Sequence, residues 1–179
     1  IGVVGTGRIG LSSIRIANGF GMKVIAQDIY ENKEAAKELG FSYLPLEKLL
    51  KESDVITLHV LLTDQTRHLI NSKNIRNLKK GAVIINTSRG PVIETDALVH
   101  ALKSGSVAAA GLDVLEDEEN LLDPDKYPTP EQAYLLKNPN VIYTPHSAFY
   151  SKESIQRILA TTIENIQSFL KKSPINTIK

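Results

Sequence analysis

Short apolar runs alternate with amphipathic stretches along most of the chain, a rhythm that predicts a parallel sheet covered by helices. Ile1–Val4 reads as a buried strand, and Ile9–Phe20 as a helix on which Ile9, Ile14 and Ala17 share a face. Lys23–Ala26 reads as a second strand and Glu31–Leu39 as a second helix stopped by Gly40. Extended Phe41–Leu44 leads into a helix over Pro45–Lys51, with proline at its start. Further strands are predicted at Asp54–Val60, Ala82–Asn86, Val107–Leu112 and Asn140–Thr144. Between them lie a short helix over Ser72–Leu78 and a longer one over Glu94–Lys103, closed by Gly105.

Two segments interrupt this rhythm. Glu116–Pro139 starts acidic and carries Pro124, Pro128, Pro130 and Pro139. A loop this long within a domain is commonly functional or mobile, and a helix is expected in it around Glu131–Leu136. In the tail, Ile155, Ile158, Leu159, Ile163, Ile166, Phe169 and Leu170 recur at helical spacing over Ser151–Lys171. That stripe needs a packing partner, which is expected to lie outside this sequence. The organisation expected is a sheet domain over residues 1–150 and a C-terminal helix and tail over 151–179.

Composition then narrows the classes. Of 179 residues, 21 are Lys or Arg and 20 are Asp or Glu, a formal net charge of +1 that argues against nucleic acid or a membrane surface as partner. An apolar share of 42% supports a substantial core. The lack of cysteine excludes a disulfide framework, thiol catalysis and cysteine metal sites, and it fits the cytoplasm. No apolar run approaches the roughly 18 residues that span a bilayer. The chain opens at Ile1 directly in a strand, so it is expected to be a piece of something longer.

Gly5-Thr6-Gly7-Arg8-Ile9-Gly10 is a G-x-G-x-x-G sequence set between a strand and a helix. In that setting Gly5 permits the tight turn, Gly7 lets a pyrophosphate approach the backbone, and Gly10 lets the helix pack on the strand. The helix N-terminus offers unpaired N–H groups to the anion. An ordinary strand-to-helix turn is the plainer alternative. With this loop the expected fold is α/β, a Rossmann-type doubly wound parallel sheet with helices on both faces. Asp28, 18 residues past Gly10, can accept both hydroxyls of an adenosine ribose and repel a 2′-phosphate, or it can cap the second helix. Residues 29–32 contain no arginine, so NAD is expected over NADP.

Asn86-Thr87-Ser88-Arg89-Gly90-Pro91 follows a buried strand, the end at which open α/β sheets bind ligands. An arginine there can hold a carboxylate through two parallel hydrogen bonds, although loop arginines commonly face solvent. The next strand runs out into Gly111-Leu112-Asp113-Val114-Leu115-Glu116-Asp117-Glu118-Glu119, an acidic run that also reads as a solvated face. Thr144-Pro145-His146 puts a histidine behind the last strand. His59, His68 and His100 fall in strand or helix patterns and read as structural. No metal-ligand set is read.

Together, the glycine loop, Asp28, the His59-Val60 strand end with Thr63 and Thr66, Asn86–Gly90, Gly111–Val114 and Thr144–His146 resemble the D-isomer-specific 2-hydroxyacid dehydrogenases. The likeness holds in family order from Gly2 to about Ile166. It implies hydride transfer between NADH and a small 2-oxo acid such as pyruvate, giving the 2-hydroxy acid. It implies Arg89 as the arginine for the substrate carboxylate and His146 as the acid/base. Glu118, five positions beyond Asp113, is implied as the glutamate that charges and orients the imidazole. Arg8 and Ile9 would lie over the pyrophosphate, and Val60, Thr87 and Ser88 would line the nicotinamide side. Leu61 and Thr66 would be further cofactor contacts, and Asp113 would sit near the carboxamide.

Leu61 departs from the family, standing where a proline is common. Ser147-Ala148-Phe149-Tyr150 resembles the D-lactate dehydrogenase branch, in which Phe149 would narrow the substrate pocket; plain core packing is its alternative. The family's substrate domain, on the order of 100 residues and built mostly ahead of the glycine loop, has no counterpart in this sequence. The tail is therefore expected to return toward that missing domain, and residues 1–179 alone to be inactive. A homodimer through the cofactor domain is also implied. Two other readings stand beside this one: an NAD-sensing binding module like the family's corepressor relatives, and a phosphoglycerate- or glyoxylate-type dehydrogenase.

Overall fold

Gly2–Val4 forms β1, and alternate residues of this strand serve opposite faces of the sheet. Val3 belongs to a cluster with Ile14, Ala17, Ala26 and Phe41, whereas Val4 belongs to the larger cluster with Leu49, Leu50, Ile56 and Leu58. Both valines are fully buried, because helices cover both faces. The chain is described from a computed structural model over residues 1–121, 123 and 125–177. Leu122, Pro124 of the long loop and the last two residues of the tail lie outside the described residues.

Beside β1 lie β2 (Ile25–Gln27), β3 (Ser42–Tyr43), β4 (Val55–Leu58), β5 (Ala82–Asn86), β6 (Val107–Leu112) and β7 (Val141–Tyr143). Their spatial order is β3-β2-β1-β4-β5-β6-β7, with every pairing parallel. The winding direction reverses between β1 and β4, which opens a crevice at their carboxyl ends. Helices α1 (Arg8–Gly19) and α2 (Lys33–Leu39) pack on the Val3 face. Helices α3 (Leu46–Glu52), α4 (Thr95–Ser104) and α5 (Pro130–Lys137) pack on the Val4 face. This is the doubly wound Rossmann-type α/β fold that the hydrophobic rhythm predicts.

Element ends differ from the sequence pattern where polar chemistry overrides hydrophobicity. The apolar run through Val60 is only partly strand: β4 stops at Leu58, so His59 and Val60 enter the crevice loop. Ser72–Leu78 holds no α-helix but a single 3₁₀ turn at Ile75–Asn77. Its start is occupied by competing side-chain bonds, with the Asn74 and Asn71 carboxamides accepting from the Asn71 and Lys73 N–H groups. His68, expected within a regular element, lies in a turn at φ +51°. The helix expected in the long loop forms as α5, fixed by a capping box in which Thr129 and Gln132 exchange side-chain-to-backbone bonds.

The chain divides into two compact units, Ile1–Pro145 with the whole sheet and His146–Lys179. The second holds α6 (Lys152–Leu170), capped by Ser151 and without a buried residue. Its stripe of Ile158, Leu159, Ile163, Ile166, Phe169 and Leu170 is exposed. Among the described residues no helix is long and apolar enough to cross a membrane.

Candidate active site

The loop from β1 into α1 is shaped by close backbone approaches. Gly5 sits at φ +92°, and a Cβ there would come within 2.8 Å of the His59 carbonyl. At Gly10 a Cβ would fall 1.9 Å from the Gly5 oxygen, so only hydrogen lets α1 seat on the loop. Gly7 is different: a Cβ would meet nothing within 4 Å. The space over Gly7 is therefore open. Helix α1 also starts without a side-chain cap and without an acid in its first turn. By contrast, Asn32 caps α2 and Thr129 caps α5. Neither a side-chain cap nor an acid thus competes for the first N–H groups of α1, the condition that an anion at a helix start needs.

Asp28 lies just past β2, beside this loop. Its Oδ2 accepts the Thr6 N–H at 2.6 Å and the Thr6 hydroxyl at 3.0 Å, and its Oδ1 accepts the Tyr30 N–H at 3.0 Å. Partial burial raises the carboxyl pKa, but these bonds and one from Ile29 outweigh it and hold the group below its ordinary range. It is an anion held in place beside the glycine loop. The capping alternative fails: the α2 cap is Asn32, whose Oδ1 accepts the Ala35 N–H at 2.9 Å.

The loop after β5 is built around buried Asn86. Its Oδ1 accepts from both the N–H and the hydroxyl of Ser88, and its Nδ2 donates to the Arg89 carbonyl at 2.9 Å. Arg89 is an exposed residue, and its guanidinium donates to the Ser88 carbonyl at 2.6 Å. A Cβ on Gly90 would fall 2.1 Å from the Leu115 carbonyl, so the arginine loop lies directly on the backbone that opens the acidic run.

Within that run the acids have different surroundings. Glu116 accepts from His68 Nε2 at 2.7 Å, from the Thr95 N–H at 2.9 Å and from the Thr95 hydroxyl at 2.7 Å. Burial raises its pKa, but the bonds from His68 and Thr95 outweigh that and hold it below its ordinary value. Since α4 has no cap of its own, Glu116 supplies one from another loop. Glu118 accepts the Leu115 N–H at 3.1 Å and stays partly exposed. Asp113 is 4% exposed and accepts a short hydrogen bond from the Thr144 hydroxyl. Burial raises the Tyr143 pKa, and the nearby charges of Glu118 and Asp113 raise it further.

The first unit thus gathers Gly5, Gly7, Arg8, Ile9, Gly10, Asp28, Val60, Thr87, Ser88, Arg89, Asp113 and Glu118 at or beyond the carboxyl ends of β1, β2, β4, β5 and β6. Leu61 and Thr66 stand in the turn after β4, where the Thr66 hydroxyl donates to the Leu61 carbonyl. His146 opens the second unit at φ +49°, and Phe149 there meets Tyr150 edge to face at 6.1 Å between ring centres. Of the polar residues that hold these loops, sequence reasoning missed Tyr43, Thr95 and Gln132 and quoted Thr6 and Asn86 only as members of their motifs. Gln132 is 2% exposed and donates to the Glu116 and Asp117 carbonyls. Asn86 alone carried a local signal, as the residue that ends a buried strand.

Residues 1–148 match the family described as "D-isomer specific 2-hydroxyacid dehydrogenase, NAD binding domain". A glyoxylate reductase from Korarchaeum cryptofilum is 44% identical over 169 residues, 94% of this chain and 48% of that protein. A hydroxypyruvate reductase from Blautia hydrogenotrophica is 43% identical over 178 residues, 99% of this chain and 52% of that protein. The crystal structure of D-lactate dehydrogenase from Aquifex aeolicus complexed with NAD and lactic acid superposes with a TM-score of 0.91 at 42% identity. It is matched over 96% of this chain and 53% of that one. The chain spans about half the length of these relatives.

Proposed function

The chain belongs to the D-isomer-specific 2-hydroxyacid dehydrogenase family, and we propose that it is the cofactor half of an NAD-dependent enzyme. That enzyme interconverts a small 2-oxo acid, such as pyruvate, and its D-2-hydroxy acid. One observation carries the reading: an uncapped α1 behind an unobstructed Gly7, with a hydrogen-bonded carboxylate at the tip of the neighbouring strand. These residues fit a dinucleotide, with α1 taking the pyrophosphate and Asp28 the adenosine ribose. When bound, NAD supplies the hydride at its nicotinamide ring.

The protein's own groups then aim the substrate and move the proton. Arg89 is assigned to the substrate carboxylate, and the Asn86 side chain braces its loop through the Arg89 carbonyl and Ser88. His146 gives the ketone oxygen its proton as imidazolium, and Glu118 is its carboxylate partner in the full-length enzyme. Glu116 is too committed to His68 and α4 for that role. Phe149, three residues past His146, is assigned to narrowing the pocket around a small apolar acid. Residues 1–150 are the cofactor domain in this reading, and 151–179 return toward a substrate domain encoded elsewhere. A homodimer through the cofactor domain and a cytoplasmic location complete it.

The relatives named glyoxylate reductase and hydroxypyruvate reductase favour a second reading, a more polar or smaller 2-oxo acid on the same site. NADH oxidation by the full-length protein with pyruvate, glyoxylate and hydroxypyruvate decides between them. The highest kcat/KM for pyruvate supports the lactate-type assignment. A higher value for either competitor replaces it, and inactivity with all three overturns the enzyme reading.

A further inference from the structure

Tyr43 ends β3 at the edge of the sheet, with its ring edge to face on Phe41 at 5.2 Å between centres. Its hydroxyl lies 2.8 Å from the Thr6 hydroxyl and accepts the Asn32 N–H at 3.0 Å. Proton bookkeeping fixes the direction of this chain. An ionised Asp28 can only accept, so the one Thr6 hydroxyl proton goes to Asp28 Oδ2. The Thr6 oxygen must then be the acceptor of the Tyr43 proton. The relay runs from Asn32 N–H to Tyr43 O–H to Thr6 O–H to Asp28, and it joins three segments 22 and 37 residues apart in sequence.

We infer that the Tyr43 hydroxyl is a positioning residue for the dinucleotide site: by orienting the Thr6 hydroxyl it fixes Asp28 as the ribose acceptor and thereby sets the preference for NAD over NADP. The inference rests on the assignment of Asp28 to the ribose. Both Thr6 donors occupy Oδ2 and the Tyr30 N–H occupies Oδ1, so an incoming ribose hydroxyl takes a lone pair that these bonds leave, and the carboxylate cannot turn without breaking them. A carboxylate held in place and fully ionised receives a 2′-hydroxyl well and opposes a 2′-phosphate. A carboxylate held by fewer donors does both less well. The direction of the Asp28 pKa, below its ordinary value with both Thr6 donors among the causes, agrees with this.

Tyr43→Phe keeps the ring and removes only the hydroxyl. NADH and NADPH are titrated into residues 1–179 by cofactor fluorescence, with thermal unfolding recorded in parallel and the Asp28 pKa read from its side-chain carbon resonance. The expected result is NADH binding weaker by about threefold to tenfold, the span of one lost hydrogen bond. The NADH-to-NADPH affinity ratio falls at least about threefold with it, and the Asp28 pKa rises. Thr6→Val should give the same narrowing, and the double variant no more than the larger single, because both cut one chain. An unchanged ratio and pKa, even with a lowered melting temperature, would mean that the hydroxyl only props the start of α2, and it would overturn the inference. Additive effects of the two substitutions would also overturn it. Failure of the unaltered protein to bind NADH would remove the dinucleotide reading itself, and the inference with it.

Discussion

Glu116→Ala is expected to lower the stability of the sheet unit by about 2 kcal/mol, although Glu116 looks from its neighbours like one more surface acid. Its carboxylate caps α4 through the Thr95 N–H and hydroxyl, and a lost cap costs roughly 1 kcal/mol. Its bond to His68, with the Glu116 side chain 19% exposed, adds about 1 kcal/mol. For a unit of this size that total corresponds to a fall in Tm of about 4–8 °C. The pH dependence follows from the carboxyl lying below its ordinary value of 4.5. A group depressed in the folded state contributes fully above its unfolded pKa and loses that contribution as pH falls through the folded one. The gap between the two proteins should therefore be full near neutrality and close progressively in acid below that ordinary value. Calorimetric melts of Glu116→Ala, Glu118→Gln and Glu119→Gln at several pH values test this. Glu119→Gln should melt within about 1 °C of the parent, as surface changes do, and Glu118→Gln, whose amide oxygen still accepts the Leu115 N–H, should lose less than Glu116→Ala. A Glu116→Ala protein that melts with the parent, or a Glu118→Gln protein that loses as much, would refute the division of labour drawn within the acidic run.

Gly10→Ala puts a methyl 1.9 Å from the Gly5 oxygen, so it should displace α1 and abolish detectable NADH binding; an unaffected Kd by fluorescence titration would contradict the packing. Asp28→Ala should narrow an NADH-over-NADPH preference of at least about tenfold, about 1.4 kcal/mol, chiefly by weakening NADH. Equal affinities in the parent would remove the ribose assignment. In the full-length enzyme, His146→Ala should slow reduction by about 100-fold or more in steady-state rates. There Glu118→Gln should move the pH profile of reduction to lower pH, because the imidazolium loses an anionic partner. If Glu119→Gln moved it instead, the choice of acid would be wrong.

The sheet was legible because each strand is an apolar run between turn residues, and because parallel strands buried on both faces need no help from their neighbours to be recognised. Gly40 and Gly105 marked helix ends correctly, since both adopt the left-handed conformation that glycine tolerates. Apolar content failed where it did not decide the backbone. Val60 extends the hydrophobic run of β4, yet the chain leaves the sheet at Leu58 to carry His59 over Gly5. Ile75 and Leu78 have helical spacing, yet local asparagine bonds leave room for one 3₁₀ turn.

The candidate site divides along the same line. The glycine loop was readable because its requirements are local: a positive φ at Gly5 and a contact over five positions between Gly5 and Gly10. What holds the site together is not local. The bonds joining Thr6 to Asp28, Thr95 to Glu116, Thr6 to Tyr43 and His68 to Glu116 span 22, 21, 37 and 48 residues. No periodicity encodes such pairs, because each partner lies in a loop or at the end of an element, where its own sequence is compatible with solvent. His68 shows the consequence. As one residue it is a histidine in a turn; with Glu116 it ties the loop after β4 to the loop after β6, and through Thr95 to the helix that follows the arginine loop. Three strand ends are thereby fixed relative to one another before any ligand arrives. A site assembled this way would bind with less ordering of its own loops, an entropy cost that otherwise weakens binding. Single-residue reading underrates such polar groups because their role exists only as a pair.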